Sequence, residues 1–228
     1  MKYSITLVLI ILTSIVYGQQ ISYNDWKNAA KTEIRLLPKY GNVVKTKEQK
    51  AADQELMKTY LAQQGTHRKA SEVLVGLGFN YLYKGDLKTA MFRFNQAWLL
   101  DPTNENSFWG FGAVFSTLGN FPDALKQYDE GLLINPKSTN ILTDKASVFM
   151  NRYATEKNEK DFTLAIKLFK QSYLLNPKYA NMLFKLSTGY FFKKDCVNAW
   201  KYYYECKKTG SKLITEEYTK ALTNLCKK

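Results

Sequence analysis

The chain has 228 residues, 45% of them apolar and 14% aromatic, which is ample for a buried core and excludes a disordered polymer. A formal net charge of +13 favours acidic partners, yet only four of the 33 basic side chains are Arg (35, 68, 93 and 152), which disfavours nucleic-acid binding through guanidinium forks. The excess lies at the two ends, with nine basic against five acidic residues from Asp25 to Arg68 and nine against four from Lys193 to Lys228.

The first element, MKYSITLVLIILTSIVYG, sets Lys2 before an apolar run and ends in a small residue, which reads as a signal peptide over 1–18 cleaved after Gly18. The rival, a membrane anchor, needs roughly 20 apolar residues, and this run is short of that. No Cys lies beside the cleavage point, which disfavours a lipid anchor. The expectation is an exported protein of a Gram-negative bacterium, in the periplasm or cell envelope or secreted, with no transmembrane span in the mature chain.

Residues 19–69 read as an N-terminal helical cap. SYNDWKNAAKTEIRLL and TKEQKAADQELMKTYLAQQ are expected to form two helices, LPKYGN turns between them, and Thr46 and Gln49 stand at capping-box spacing. Whether this pair is a decayed repeat or a cap stays open.

From residue 70 the chain repeats itself. RFNQAWLLDPTN, QYDEGLLINPKS and LFKQSYLLNPKY are near copies, with Pro102 and Pro136 34 residues apart and Pro136 and Pro177 41 apart. In the first unit Leu74, Leu77, Gly78 and Tyr81 share one helical face, Ala90, Phe94 and Ala97 share another, and Gly85 and Asp86 supply a turn and a cap between them. The second unit runs through Phe108, Phe111, Gly112, Phe115, Ala124, Tyr128 and Gly131. The third, through Leu142, Ala146, Phe149, Ala165, Phe169 and Ser172, carries seven extra residues in NRYATEKNEKD. A fourth, through Leu183, Leu186, Ser187, Tyr190, Ala199, Tyr203 and Cys206, lacks the final proline.

This period and order of small and large residues resembles the tetratricopeptide repeat. The resemblance covers about 71–211 and departs from the family's pattern at the third unit's insertion, at Lys145 and at the missing proline. It implies an all-α fold, a right-handed α-α superhelix of about four helix-turn-helix units at 71–104, 105–138, 139–179 and 180–211, within a solenoid over 70–212. The ends of such a stack need polar caps, and 213–228 supplies one, with Thr215 placed to cap a final helix.

Cysteine placement suggests how that cap is held. Cys196 and Cys226 are each 15 residues from Ser211, so antiparallel helices meeting there set them side by side. The alternatives are a Cys196–Cys226 disulfide with Cys206 buried, or three reduced core cysteines. The single histidine, His67, lies in a polar turn, and neither a phosphate loop nor a compelling carboxylate pair is evident, so the expectation is a non-enzymatic chain with no cofactor and no metal.

The family's concave surface, carried over position by position, implies a peptide-binding groove with Phe79, Tyr83, Asn106, Trp109, Asn140, Asn181, Phe184 and Phe191 among its lining. Asn106, Asn140 and Asn181 are equivalent and form either a ladder to a peptide backbone or ordinary helix starts. The aromatic side chains are either binding anchors or buried against the caps. Val75 and Phe79 replace the polar residues with which some tetratricopeptide domains clamp acidic tails, which implies an apolar or amphipathic segment as the ligand. The expected partner is a protein or peptide. The alternatives are an adaptor or immunity-type partner in a secretion or envelope-assembly system, and an envelope polysaccharide-binding protein.

Overall fold

A computed structural model describes residues 21–226, so the expected leader over 1–18 lies outside the described residues. Among those residues the chain forms eleven α-helices and no strand. They are α1 (Tyr23–Ala29), α2 (Lys47–Gln64), α3 (His67–Tyr83), α4 (Leu87–Leu100), α5 (Glu105–Thr117), α6 (Phe121–Ile134), α7 (Thr139–Glu156), α8 (Glu159–Leu175), α9 (Ala180–Phe192), α10 (Cys196–Lys208) and α11 (Glu216–Leu225).

The repeated line is the second helix of a hairpin and its stop signal. α3 pairs with α4, α5 with α6, α7 with α8 and α9 with α10, and each second helix also packs on the first helix of the next pair. The first helices touch one another in sequence, α3 to α5 to α7 to α9, and so form an inner layer with α4, α6, α8 and α10 outside it. The result is an α-solenoid.

Local chemistry sets the boundaries. Asp86, Asn120, Asn158 and Asp195 cap α4, α6, α8 and α10 by accepting from backbone N–H groups in the first turn. Gly85 sits at φ 81° in the turn of the first hairpin, where a side chain would be strained. Close approach explains Gly110: a Cβ there would meet the Phe94 ring at 2.2 Å, so only glycine lets α5 lie against the fully buried Phe94 of α4. The seven extra residues of the third unit lengthen both helices, because α7 has 18 residues against 13 in α5 and α8 has 17 against 14 in α6. The turn between α7 and α8 is correspondingly tight, with Lys157 in the left-handed region.

The N-terminal segment forms the two expected helices, the first of them only seven residues long. α2 forms, with Thr46 and Gln49 exchanging both bonds of a capping box, and packs on α3. The preceding stretch is helical only over α1, then turns, and crosses short 3-10 turns at Ile34–Leu36 and Pro38–Asn42. Lys39, Tyr40, Gly41 and Asn42 all have φ between 54° and 66°. Three of them are not glycine, at a cost of roughly 1–2 kcal/mol each.

Tertiary contacts offset that cost. Trp26, Leu36 and Tyr40 are buried, at roughly 1.5–3 kcal/mol each. The fully buried Asn95 of α4 donates to the carbonyls of Arg35 (2.8 Å) and Leu37 (2.9 Å) and accepts from the Tyr40 N–H (3.2 Å). The segment reaches α6 through Tyr23 Oη to Asp123 (3.1 Å) and Lys39 Nζ to Glu130 (2.5 Å). It is therefore a strap over the outer helices rather than half of a repeat.

At the other end α11 packs on α10, with Cys196 and Cys226 joined as a disulfide and Cys206 a buried free thiol. Trp200 Nε1 donates to the Cys226 carbonyl at 3.1 Å, and the Tyr218 and Ser187 hydroxyls lie 2.7 Å apart. Among the described residues no helix is long and apolar enough to cross a membrane.

Candidate functional site

The inner layer encloses an open cavity of about 690 Å³. Side chains from four successive first helices line it. α3 gives Phe79, Leu82 and Tyr83; α5 gives Trp109, Ala113, Ser116 and Thr117. α7 gives Asp144, Ser147 and Asn151; α9 gives Asn181 and Lys185, with Tyr179 just before it and Leu213 closing the far side. The α3 and α5 side is the richer in aromatic rings and the α7 and α9 side the richer in polar groups.

Packing fixes the aromatic wall. The Phe79 and Trp109 ring centroids are 4.0 Å apart, and Phe79 also meets the Phe94 ring edge-on at 5.1 Å, which ties the wall to the core. Tyr83 lies 6.0 Å from Phe79 and stays 77% exposed, so its ring belongs to the surface and contributes little to folding.

Asp144 is the polar centre. Its Oδ2 accepts from Trp109 Nε1 at 2.7 Å and its Oδ1 from Lys185 Nζ at 2.8 Å, which links α5, α7 and α9 through one carboxylate. Asp144, Ser147 and Asn151 follow i, i+3, i+7 spacing and so share the inward face of α7. In the same cavity the Tyr179 phenol is raised above its ordinary value, first by burial and then by the Asp144 charge, while the Asn181 amide beside it acts in the opposite direction.

The sequence-derived residues are divided by this arrangement. Phe79, Tyr83, Trp109 and Asn181 come together in the cavity. Asn106 is outside its lining, where it donates to Glu72 Oε1 at 3.0 Å and links α5 to α3. Asn140 is half-buried at the start of α7 and likewise outside the lining, so the three equivalent asparagines do not converge on one ligand position. Phe184 and Phe191 face the cap, with centroids 5.5 Å and 5.9 Å from that of Tyr218 in α11.

Asp144, Lys185, Tyr179 and Leu213 were missed. A signal for the charged pair was present, because residues 144 and 185 are 41 apart, the spacing of Pro136 and Pro177. They therefore hold the same position in successive units, which puts opposite charges side by side on neighbouring helices.

His67 has a structural contact: Nδ1 lies 2.8 Å from the Leu100 carbonyl, joining the start of α3 to the end of α4. Among the described residues no group of three or more His, Cys, Asp or Glu side chains is placed to hold a metal ion.

No protein-family model matches the chain, and no curated protein matches it. Among solved structures, a thermophilic tetratricopeptide-repeat protein of Thermus thermophilus superposes with a TM-score of 0.58 at 17% identity, covering 68% of this chain and 80% of that one. PilF of Pseudomonas aeruginosa matches at 17% identity over 70% of this chain and 85% of its own, with a TM-score of 0.36, a superposition too loose to bear on how the helices are placed.

Proposed function

We propose that this protein, whose fold is that of the tetratricopeptide-repeat proteins, is an exported, non-enzymatic binding protein that holds a polypeptide segment on its inner face. One observation carries the reading: four successive first helices contribute to a single open cavity with one side richer in aromatic rings and the other in hydrogen-bonding side chains. Such a surface offers apolar anchors together with a few polar groups that orient a ligand. Its length across four units suits an extended chain better than a small molecule.

Two features support export. The leader-like sequence over 1–18 is one, and the Cys196–Cys226 bridge is the other, since disulfides persist in oxidising compartments.

The test is retention of envelope proteins by immobilised mature chain beside a Tyr83→Ala, Asn151→Ala variant. Tyr83 is largely exposed, so the variant should keep the parent's circular dichroism and melting point. Loss of a specifically retained partner is expected, with roughly tenfold weaker binding or more. Equal retention by both would move the binding surface elsewhere.

A further inference from the structure

Asp144 is only 20% exposed, and each of its carboxylate oxygens has a partner. The two partners differ in kind. Trp109 Nε1 can only donate, and the indole is held against Phe79, so one acceptor position of Oδ2 is filled from a packed ring. Lys185, by contrast, reaches Oδ1 on a flexible four-carbon stem and remains 28% exposed. One oxygen is built in, and the other is met by an exchangeable ammonium.

The lining of the same cavity includes the rings of Phe79, Tyr83, Trp109 and Tyr179. Aromatic faces attract cations and also cover an aliphatic stem. Resting on the polypeptide-binding reading above, we propose that the cavity takes the ε-ammonium of a lysine carried by the bound segment, which replaces Lys185 at Asp144 Oδ1.

The geometry selects among charged side chains. A guanidinium gains its advantage from a fork across both carboxylate oxygens, and the Trp109 N–H on Oδ2 competes with the second arm of that fork, so a single ammonium on Oδ1 is the better match. A carboxylate ligand would have to take Lys185 for itself and leave Asp144 without its cation among low-dielectric walls. Lys185 is then an internal competitor: it keeps the site neutral when empty and lowers the affinity for any incoming lysine.

The probe is the peptide acetyl-Ala-Ala-Lys-Ala-Ala-amide, with the same peptide carrying Nε-acetyl-lysine as its neutral control. The readout is the indole N–H resonance of Trp109 in the nitrogen-15-labelled mature chain, identified by its loss in Trp109→Phe. The lysine peptide is expected to shift that resonance saturably and the acetylated one to bind at least tenfold more weakly. Lys185→Met is expected to tighten the lysine peptide severalfold, and Asp144→Asn to abolish the discrimination while the far-ultraviolet spectrum is kept.

Equal binding of both peptides, weaker binding in Lys185→Met, or no shift up to about 10 mM peptide, beyond the millimolar range of weak specific contacts, would each overturn the proposal. The broader reading fails separately. A partner whose retention depends on Tyr83 but not on Asp144 would leave the groove in place and remove the lysine from it.

Discussion

The two ends of the solenoid are closed by different physics. At the C-terminus a single amphipathic helix, α11, continues the stack and is locked by a covalent bond between Cys196 and Cys226. At the N-terminus α2 covers α3 with no fully buried side chain of its own, and the chain before it doubles back over α4 and α6 in a mostly non-helical course. One end is local and periodic. The other depends on Trp26, Leu36 and Tyr40 entering a core that residues far along the chain provide. A solenoid end can therefore be sealed either by imitating the next repeat or by an irregular strap, and only the first leaves a pattern in the sequence.

The largest effect should come from the strap. Trp26→Ala removes a side chain 1% exposed in the main core, so a loss of about 3–5 kcal/mol in urea unfolding is expected. A loss below about 1 kcal/mol would mean that the strap is an ornament on a core that stands without it. Next comes the C-terminal lock. Cys196→Ser opens a loop whose ends are 30 residues apart, at about 3–4 kcal/mol in the chain-entropy account, and reductant should bring the parent down to the variant's stability while leaving the variant unchanged.

Asn95→Ala is expected to cost about 2–3 kcal/mol, because it strips partners from the Arg35 and Leu37 carbonyls and from the N–H of the buried Tyr40. Amide exchange should then accelerate over 34–42 before it does so in α4. Thr46→Ala, which removes one side of the α2 capping box, should cost about 1 kcal/mol, the smallest of the stability changes.

Alkali should loosen α11. Burial raises the Tyr218 phenol to about 12, against the opposing hydrogen bond with Ser187. A raised phenol contributes stability that is whole below its ordinary value near 10 and is lost as pH rises through about 12. Tyr202, raised by burial to about 12 as well, titrates in the same window, so the informative quantity is the difference between the parent and Tyr218→Phe. Once the hydroxide-driven rise common to all amides is divided out, protection of α11 should fall between those pH values in the parent and much less in the variant.

What was legible follows the same division. The hairpins, the Asp86 cap, the turn at Gly85 and the small Gly78 against Phe94 were written in periodicity and spacing, which act over a few residues or one repeat. The strap was not, because Asn95 is 55 residues from Tyr40 and nothing near Arg35 announces that its carbonyl will be held by a distant amide. In the site, the family positions located Phe79, Tyr83, Trp109 and Asn181, since they belong to individual helices. They did not separate Phe184 and Phe191, which α11 covers, from residues left open, because that depends on where the last helix docks. Asp144 and Lys185 were readable from the 41-residue register once charge, and not only size, was compared between units.

The inner face is the central claim, and site-specific photocrosslinking tests it most directly. A benzophenone side chain would be placed at Tyr83 on the inner face or at Leu133 on α6, both largely exposed, in a chain beginning at Gln19 and mixed with whole-cell extract. A discrete adduct from position 83, absent from position 133 and suppressed by Asn151→Ala, is expected. Adducts from 133 alone would place the binding surface on the outer helices and contradict the account.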